Sequence, residues 1–157
     1  MENLHFWAEI VNKIMTTWIN FPENPEDYIG FIYYIVNTES GKYYIGKKQL
    51  LKKTRLKANK TRKRDKIVWK DNDVESYYGS SAQLLEDIKL LGKDKFERHV
   101  IECCTSKWHM SYSELMWQIE FNSLMDDSSY NGIINIRLNR PPKNYIDIER
   151  KRENLNL

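Results

Sequence analysis

The sequence predicts a small α+β domain: a three-stranded, mainly antiparallel sheet flanked by helices. Three observations carry that expectation. Two aromatic-rich apolar runs, FIYYIV and YYIG, bracket the turn-forming stretch NTESGK within residues 31–46, which is the pattern of a β-hairpin. Two later segments place apolar side chains three and four residues apart behind serines that can cap a helix. The chain has 157 residues, enough for one compact core and few for two.

The elements follow in order. Apolar residues at 6/7, 10/11, 14/15 and 18/19 predict a helix over 4–19, with Asn3 as N-cap and Pro22 beyond its end. Its stripe is either a packing face or a dimer contact, so a homodimer is one reading. FPENPEDY (21–28) is a polar connector. Strands are expected at 30–37 and 42–47. Residues 52–66 lack the apolar periodicity of a buried element and read as an excursion from the sheet. GSSAQLLEDIKLLG predicts a helix with a Ser80–Gln83 capping box, a buried face of Leu84, Leu85, Ile88 and Leu91, and a stop at Gly92. FERHVIECC reads as a third strand, 111–125 as a helix with Ser111 and Glu114 at capping-box spacing, and 130–138 as short extended structure. There is no internal repeat. The domain plan is therefore an N-terminal helix and connector packed on the domain (1–28), the sheet-bearing domain (29–138) and a polar C-terminal tail (139–157).

Composition narrows the function classes. No run of 18 apolar residues occurs, so no membrane span is expected, and the charged N-terminus does not read as a signal peptide. The only cysteines, Cys103 and Cys104, are neighbours. A bridge between them would be strained, so two free thiols in a reducing, cytoplasmic setting are expected. Net charge is +3 but unevenly spread. Residues 47–70 hold twelve Lys or Arg against one Asp, a local +11 that leaves −8 for the rest of the chain. A basic block on an acidic body points to a polyanion such as a nucleic acid, the rival being a solvated, lysine-rich loop. Its phosphate-contacting candidates are Lys47, Lys52, Lys53, Lys57, Lys60, Arg62, Lys63, Arg64 and Lys66. Trp69 is either a stacking residue or the anchor where the block rejoins the core.

Alternation along strands sends Tyr33 and Tyr34 to opposite faces, and likewise Tyr43 and Tyr44. Packing alone would account for such tyrosines. However, Phe31-Ile32-Tyr33, ten residues, then Tyr44-Ile45-Gly46 resembles the signature of the GIY-YIG nuclease superfamily. The second half matches fully, whereas Phe31 stands where the family has glycine and Gly30 precedes it. Lys47 and Lys48 follow directly, Arg55 comes nine residues after Gly46, and Glu114 opens ELMWQI seventeen residues before Asn131. The order spans about 30–137. IGKK followed by YYGSS also resembles small phage-encoded homing-type members.

The resemblance implies a metal-dependent DNA endonuclease, of phage homing or DNA-degrading type, with a compact restriction enzyme as second choice. It implies catalytic roles for Tyr33, Tyr44, Lys48, Arg55, Glu114 and Asn131. Hydrolysis of a phosphodiester needs a base for water, and a phenol of unperturbed pKa near about 10 serves only if cations favour phenolate or if it relays a proton. A cation must offset charge on the phosphoryl oxygens. A carboxylate, Glu114, would hold Mg²⁺ or Mn²⁺, the rival being the capping role. For Asn131 the rival is an Asn131-Gly132 type I′ turn, with Asn135 as substitute. Among other classes stand a DNA-binding protein that kept the fold without catalysis and an RNA-binding protein.

Overall fold

A computed structural model describes Ala8 and residues 17–157. The helix expected over 4–19, with its dimer reading, lies mostly outside the described residues. At its expected end Ile19 is not helical: it pairs in parallel with His99, donating its N–H to the Arg98 carbonyl and accepting from Val100 N. Strands β1 (Gly30–Asn37), β2 (Tyr43–Gln49), β3 (Leu51–Leu56), β4 (Lys66–Asp71) and β5 (Phe96–Cys104) and helices α1 (Ala82–Leu91) and α2 (Lys107–Glu120) follow. The main sheet has the order β2-β1-β5 and is antiparallel throughout. This is the expected α+β architecture.

β1 is the central strand and is buried on both faces, which is why GFIYYIVN reads as a continuous apolar run. Phe31, Tyr33 and Ile35 pack with Trp18, Phe21, Val74, Leu84 and Ile88 on one side. Ile32 and Tyr34 pack with Tyr43, Ile45, Met110, Trp117 and Phe121 on the other. Trp18 is fixed by Nε1 donating to the Val74 carbonyl at 2.8 Å.

Both helices start differently from the expectation. α1 is capped by Ser81, whose hydroxyl accepts from Leu84 N. Leu84 and Ile88 are buried, whereas Leu85 and Leu91 are exposed, because a ten-residue helix against one sheet face has a narrow stripe to bury. α2 begins four residues before Ser111: Ser106 is its cap, accepting from His109 N at 3.0 Å. Residues 121–125 are turns, and the 130–138 segment forms no strand. The basic excursion departs from the sheet as expected. It is nevertheless an ordered element, a separate two-stranded sheet of β3 and β4. None of the described helices is long and apolar enough to cross a membrane.

The tail, expected at the periphery, returns to the domain at Arg150. Its guanidinium donates Nε to Glu102 Oε2 at 2.7 Å and Nη2 to Oε1 at 2.9 Å. Ser113 Oγ and Trp117 Nε1 also donate to Glu102. Burial by itself would raise the Glu102 pKa, but the hydrogen bonds from Arg150, Ser113 and Trp117 outweigh it and hold the carboxyl below its ordinary range.

Arg150→Ala leaves Glu102 buried without its counter-charge, and a loss of roughly 3 kcal/mol is expected in denaturant unfolding. Because the folded pKa of Glu102 is depressed, its stabilisation is present above the unfolded carboxyl value and fades as pH falls through the folded one. The gap between wild type and Arg150→Ala is therefore expected to close on acidification below about pH 4. A gap independent of pH would remove the charge pairing as its cause.

Candidate active site

β2 is an edge strand, and its alternation sorts two sets of side chains. Tyr44, Gly46 and Lys48 share the face of Tyr33. Tyr43, Ile45 and Lys47 share the face toward α2. The Tyr33 and Tyr44 rings lie 6.0 Å apart, and Tyr77 meets Tyr33 edge-on at 5.8 Å. The Tyr33 hydroxyl donates to that of Tyr77 at 3.5 Å. Gly46 is required here, since a Cβ would run into the Tyr33 hydroxyl and stand 3.0 Å from Tyr44 Cε1. Lys48 Nζ sits 3.8 Å above the Tyr77 ring, and burial lowers its pKa.

Glu114 lies on α2, reaching the edge of β2. Its Oε2 pairs with Lys47 Nζ at 2.9 Å, while Ser111 Oγ accepts from the same ammonium at 3.1 Å. Ser111 is mid-helix, so the capping rival for Glu114 does not apply. The carboxylate lines one cleft of about 480 Å³ together with Tyr44, Ser80, Gln118, Asn131 and Asn135. The first turn of α1, Ser81–Gln83, opens on the same cleft. The positive end of the helix dipole favours an anion there.

Tyr33 is almost fully buried. Burial, then the neighbouring Tyr77 and Tyr44, then the Glu114 charge, hold its pKa well above the ordinary phenol value. Tyr44 is raised as well, mainly by burial, and its hydroxyl contacts Ser80 Oγ at 3.1 Å. This is the opposite direction from what a phenolate base requires. In the free protein burial favours the neutral phenol form of both groups.

Asn131 has a different task. Its Oδ1 accepts from Ile45 N at 2.9 Å and its Nδ2 donates to Ile45 O at 2.7 Å. Neither Asn131 nor Gly132 has positive φ, so the rival reading of a type I′ turn at this pair does not apply. The neighbouring backbone continues the attachment, with Tyr130 N donating to Tyr43 O and Tyr43 N to Ser128 O.

Arg55 does not join this cleft. It lies on β3, three-quarters exposed, with its guanidinium on Asp65 at 2.7 Å. Lys47 is committed to Glu114, unlike the remaining basic candidates. Lys52 pairs with Asp73, and Arg62 spends its guanidinium on the Lys57 and Arg64 carbonyls. Lys53, Lys57, Lys60, Lys63, Arg64 and Lys66 lie on the hairpin or its tip. Sequence reasoning missed Ser80 as a Tyr44 partner and Lys47 as the Glu114 partner; strand alternation already sent Lys47 and Lys48 to opposite faces.

A second cluster brings Glu102, Cys104 and His109 ligand atoms within 4.8 Å of one another. It does not suit a cation. Both Glu102 oxygens are taken by the Arg150 guanidinium, and burial pushes the Cys104 thiol up to about 12, keeping it protonated.

Asn131→Ala leaves the Ile45 N–H without its partner and the Ile45 C=O with only the longer bond from Gln118 Nε2 at 3.4 Å, and a loss of about 2 kcal/mol is expected in thermal unfolding. Asn131→Asp sets a carboxylate oxygen against the Ile45 carbonyl and is expected to destabilise also. Unchanged midpoints in both variants would dismiss the clamp.

Residues 14–134 match the family model described as "Putative endonuclease segE, GIY-YIG domain". No curated protein and no solved structure gives a significant match. The matched span holds the strand pair, the basic hairpin, both helices and the Asn131 clamp, and the chain belongs to the segE-type GIY-YIG endonuclease family.

Proposed function

We propose that the protein hydrolyses phosphodiester bonds of duplex DNA with the aid of a divalent cation, in the phage homing or DNA-degrading manner that the sequence suggests. The observation that carries the reading is the meeting of Glu114 with Tyr44 in one cleft beside Tyr33, from elements far apart in the chain. The donor set fits Mg²⁺ or Mn²⁺: a single cleft-lining carboxylate suits a hard ion that keeps waters and takes phosphate oxygens. Glu114 would hold it, and the ion would supply charge stabilisation at the phosphoryl and leaving oxygens.

The chain's own residues perform the remaining work. Tyr44, as a neutral phenol in the cleft, orients the attacking water and a phosphate oxygen, with Tyr33 packed behind it to hold its position. Lys48 is the cation on the tyrosine face and takes the part that the sequence offered to Arg55. Lys47 pins the Glu114 carboxylate. The first turn of α1 receives the phosphate. Asn131 serves by holding the edge strand.

The test is nicking of supercoiled plasmid in Mg²⁺. Glu114→Gln is expected to lose on the order of 10²-fold or more in turnover, with duplex binding retained. Turnover near wild type would sink the metal-ligand role. Tyr44→Phe keeps the ring and is expected to lose turnover while its thermal midpoint holds. Tyr34→Phe is a suitable control, since Tyr34 stacks on Tyr43 at 5.3 Å in the opposite core; both its measurements are expected to be quiet. Tight duplex binding with no nicking by the unaltered chain would instead identify a binding protein on a nuclease fold.

A further inference from the structure

The β3–β4 hairpin is a separate structural unit whose chemistry the cleft does not use. It carries ten Lys or Arg and two Asp over residues 51–71, a net +8. Residues directly opposite in an antiparallel ladder share a face. The register pairs Lys53 with Trp69 and Arg55 with Ile67, so these four form one surface. Trp69 and Ile67 are more than half exposed, and Lys53 Nζ lies 5.9 Å from the Trp69 ring. Trp69 is therefore no anchor to the core. The other face sets Lys52 opposite Lys70, and Asp73 already offsets that like-charge pair by holding the Lys52 ammonium at 2.7 Å.

The tip is built. Asn59 Oδ1 accepts from Thr61 N and Arg62 N. Arg62 binds the Lys57 and Arg64 carbonyls. Asp65 accepts from Ala58 N while holding Arg55. Those bonds leave Lys57, Lys60, Lys63 and Arg64 exposed around a fixed loop.

We propose that this hairpin enters the major groove of duplex DNA as a two-stranded ribbon, with the Lys53–Trp69 and Arg55–Ile67 face toward the base edges and the tip cations on the flanking phosphates. It would be the sequence-reading element, distinct from the cleft, and it rests on DNA being the substrate. Two strands about 4.8 Å apart with their side chains suit a groove of about 12 Å, and six paired residues reach roughly 20 Å along it. Arg55, steadied by Asp65, has the chemistry to bind guanine; Ile67 and Trp69 have that to meet a thymine methyl. A second copy of the same face is a poor occupant, because two +8 ribbons repel.

Duplexes selected from a random library by the full chain test this. A preferred duplex is expected, displaced by the major-groove ligand methyl green and not by the minor-groove ligand netropsin. Trp69→Ala and Ile67→Ala, which keep the Arg55–Asp65 pair, are each expected to reduce the ratio of preferred to scrambled affinity by about tenfold. The Lys63→Ala/Arg64→Ala pair is expected to lower both affinities equally and flatten the salt slope by about two. Displacement by netropsin alone, tighter binding of single strands than of duplex, an unchanged ratio in both apolar variants, or no duplex binding would each overturn the ribbon. The two readings fail separately. Preference without nicking leaves the ribbon standing and removes the hydrolase; nicking with no preference does the reverse.

Discussion

The side-chain amide of Asn131 closes the open edge of the sheet, and the cleft depends on it. β2 is an edge strand whose Ile45 N–H and C=O point away from β1. Without Asn131 the N–H would lose its partner, at a cost of about 1–3 kcal/mol, and the C=O would keep only Gln118 Nε2 at 3.4 Å. The primary amide has one acceptor and two donors, so it mimics a neighbouring strand at 2.9 and 2.7 Å. The same contact draws residues 130–136 beside Glu114 and Tyr44, forming the far wall of the cleft.

Burial decides the protonation of the tyrosines. Tyr33 is packed between the Trp18 and Tyr77 rings, where desolvation penalises phenolate more than any neighbouring ammonium favours it. The charges available are distributed around that neutral pair. Lys48 is parked on the Tyr77 ring, and Lys47 neutralises Glu114 from the opposite face. The Glu114 carboxylate is thus steered by Lys47 at the cleft wall.

Two charged assemblies stand apart from the cleft and behave oppositely. Around Glu102 the charges are paired and buried, tying the tail, β5 and α2 together; nothing there is free for a ligand. On the β3–β4 hairpin the charges are exposed and mostly of one sign, so the unit is stable only as a short ribbon with a rigid tip. An isolated two-stranded ribbon is marginal in water, and the internal bonds of Arg62, Asn59 and Asp65 hold its shape.

The sequence by itself determined the strand at 30–37, the FERHVIECC strand, the tyrosine pair and the family signature, because period-two alternation, glycine spacing and local turn chemistry are written into adjacent residues. It also located the basic block. It misread the start of α2, since Ser106 and Ser111 offer equal caps locally and only the packing of Met110 and Trp117 on the sheet selects the earlier one. The β3–β4 pairing was hidden because both strands are exposed and lack apolar alternation. Which cation sits on the tyrosine face, where Arg55 goes, what Asn131 holds and how Arg150 finds Glu102 depend on residues up to 86 apart. Contacts of that separation are set by how the sheet edge and α2 pack, and no periodicity in the chain encodes them.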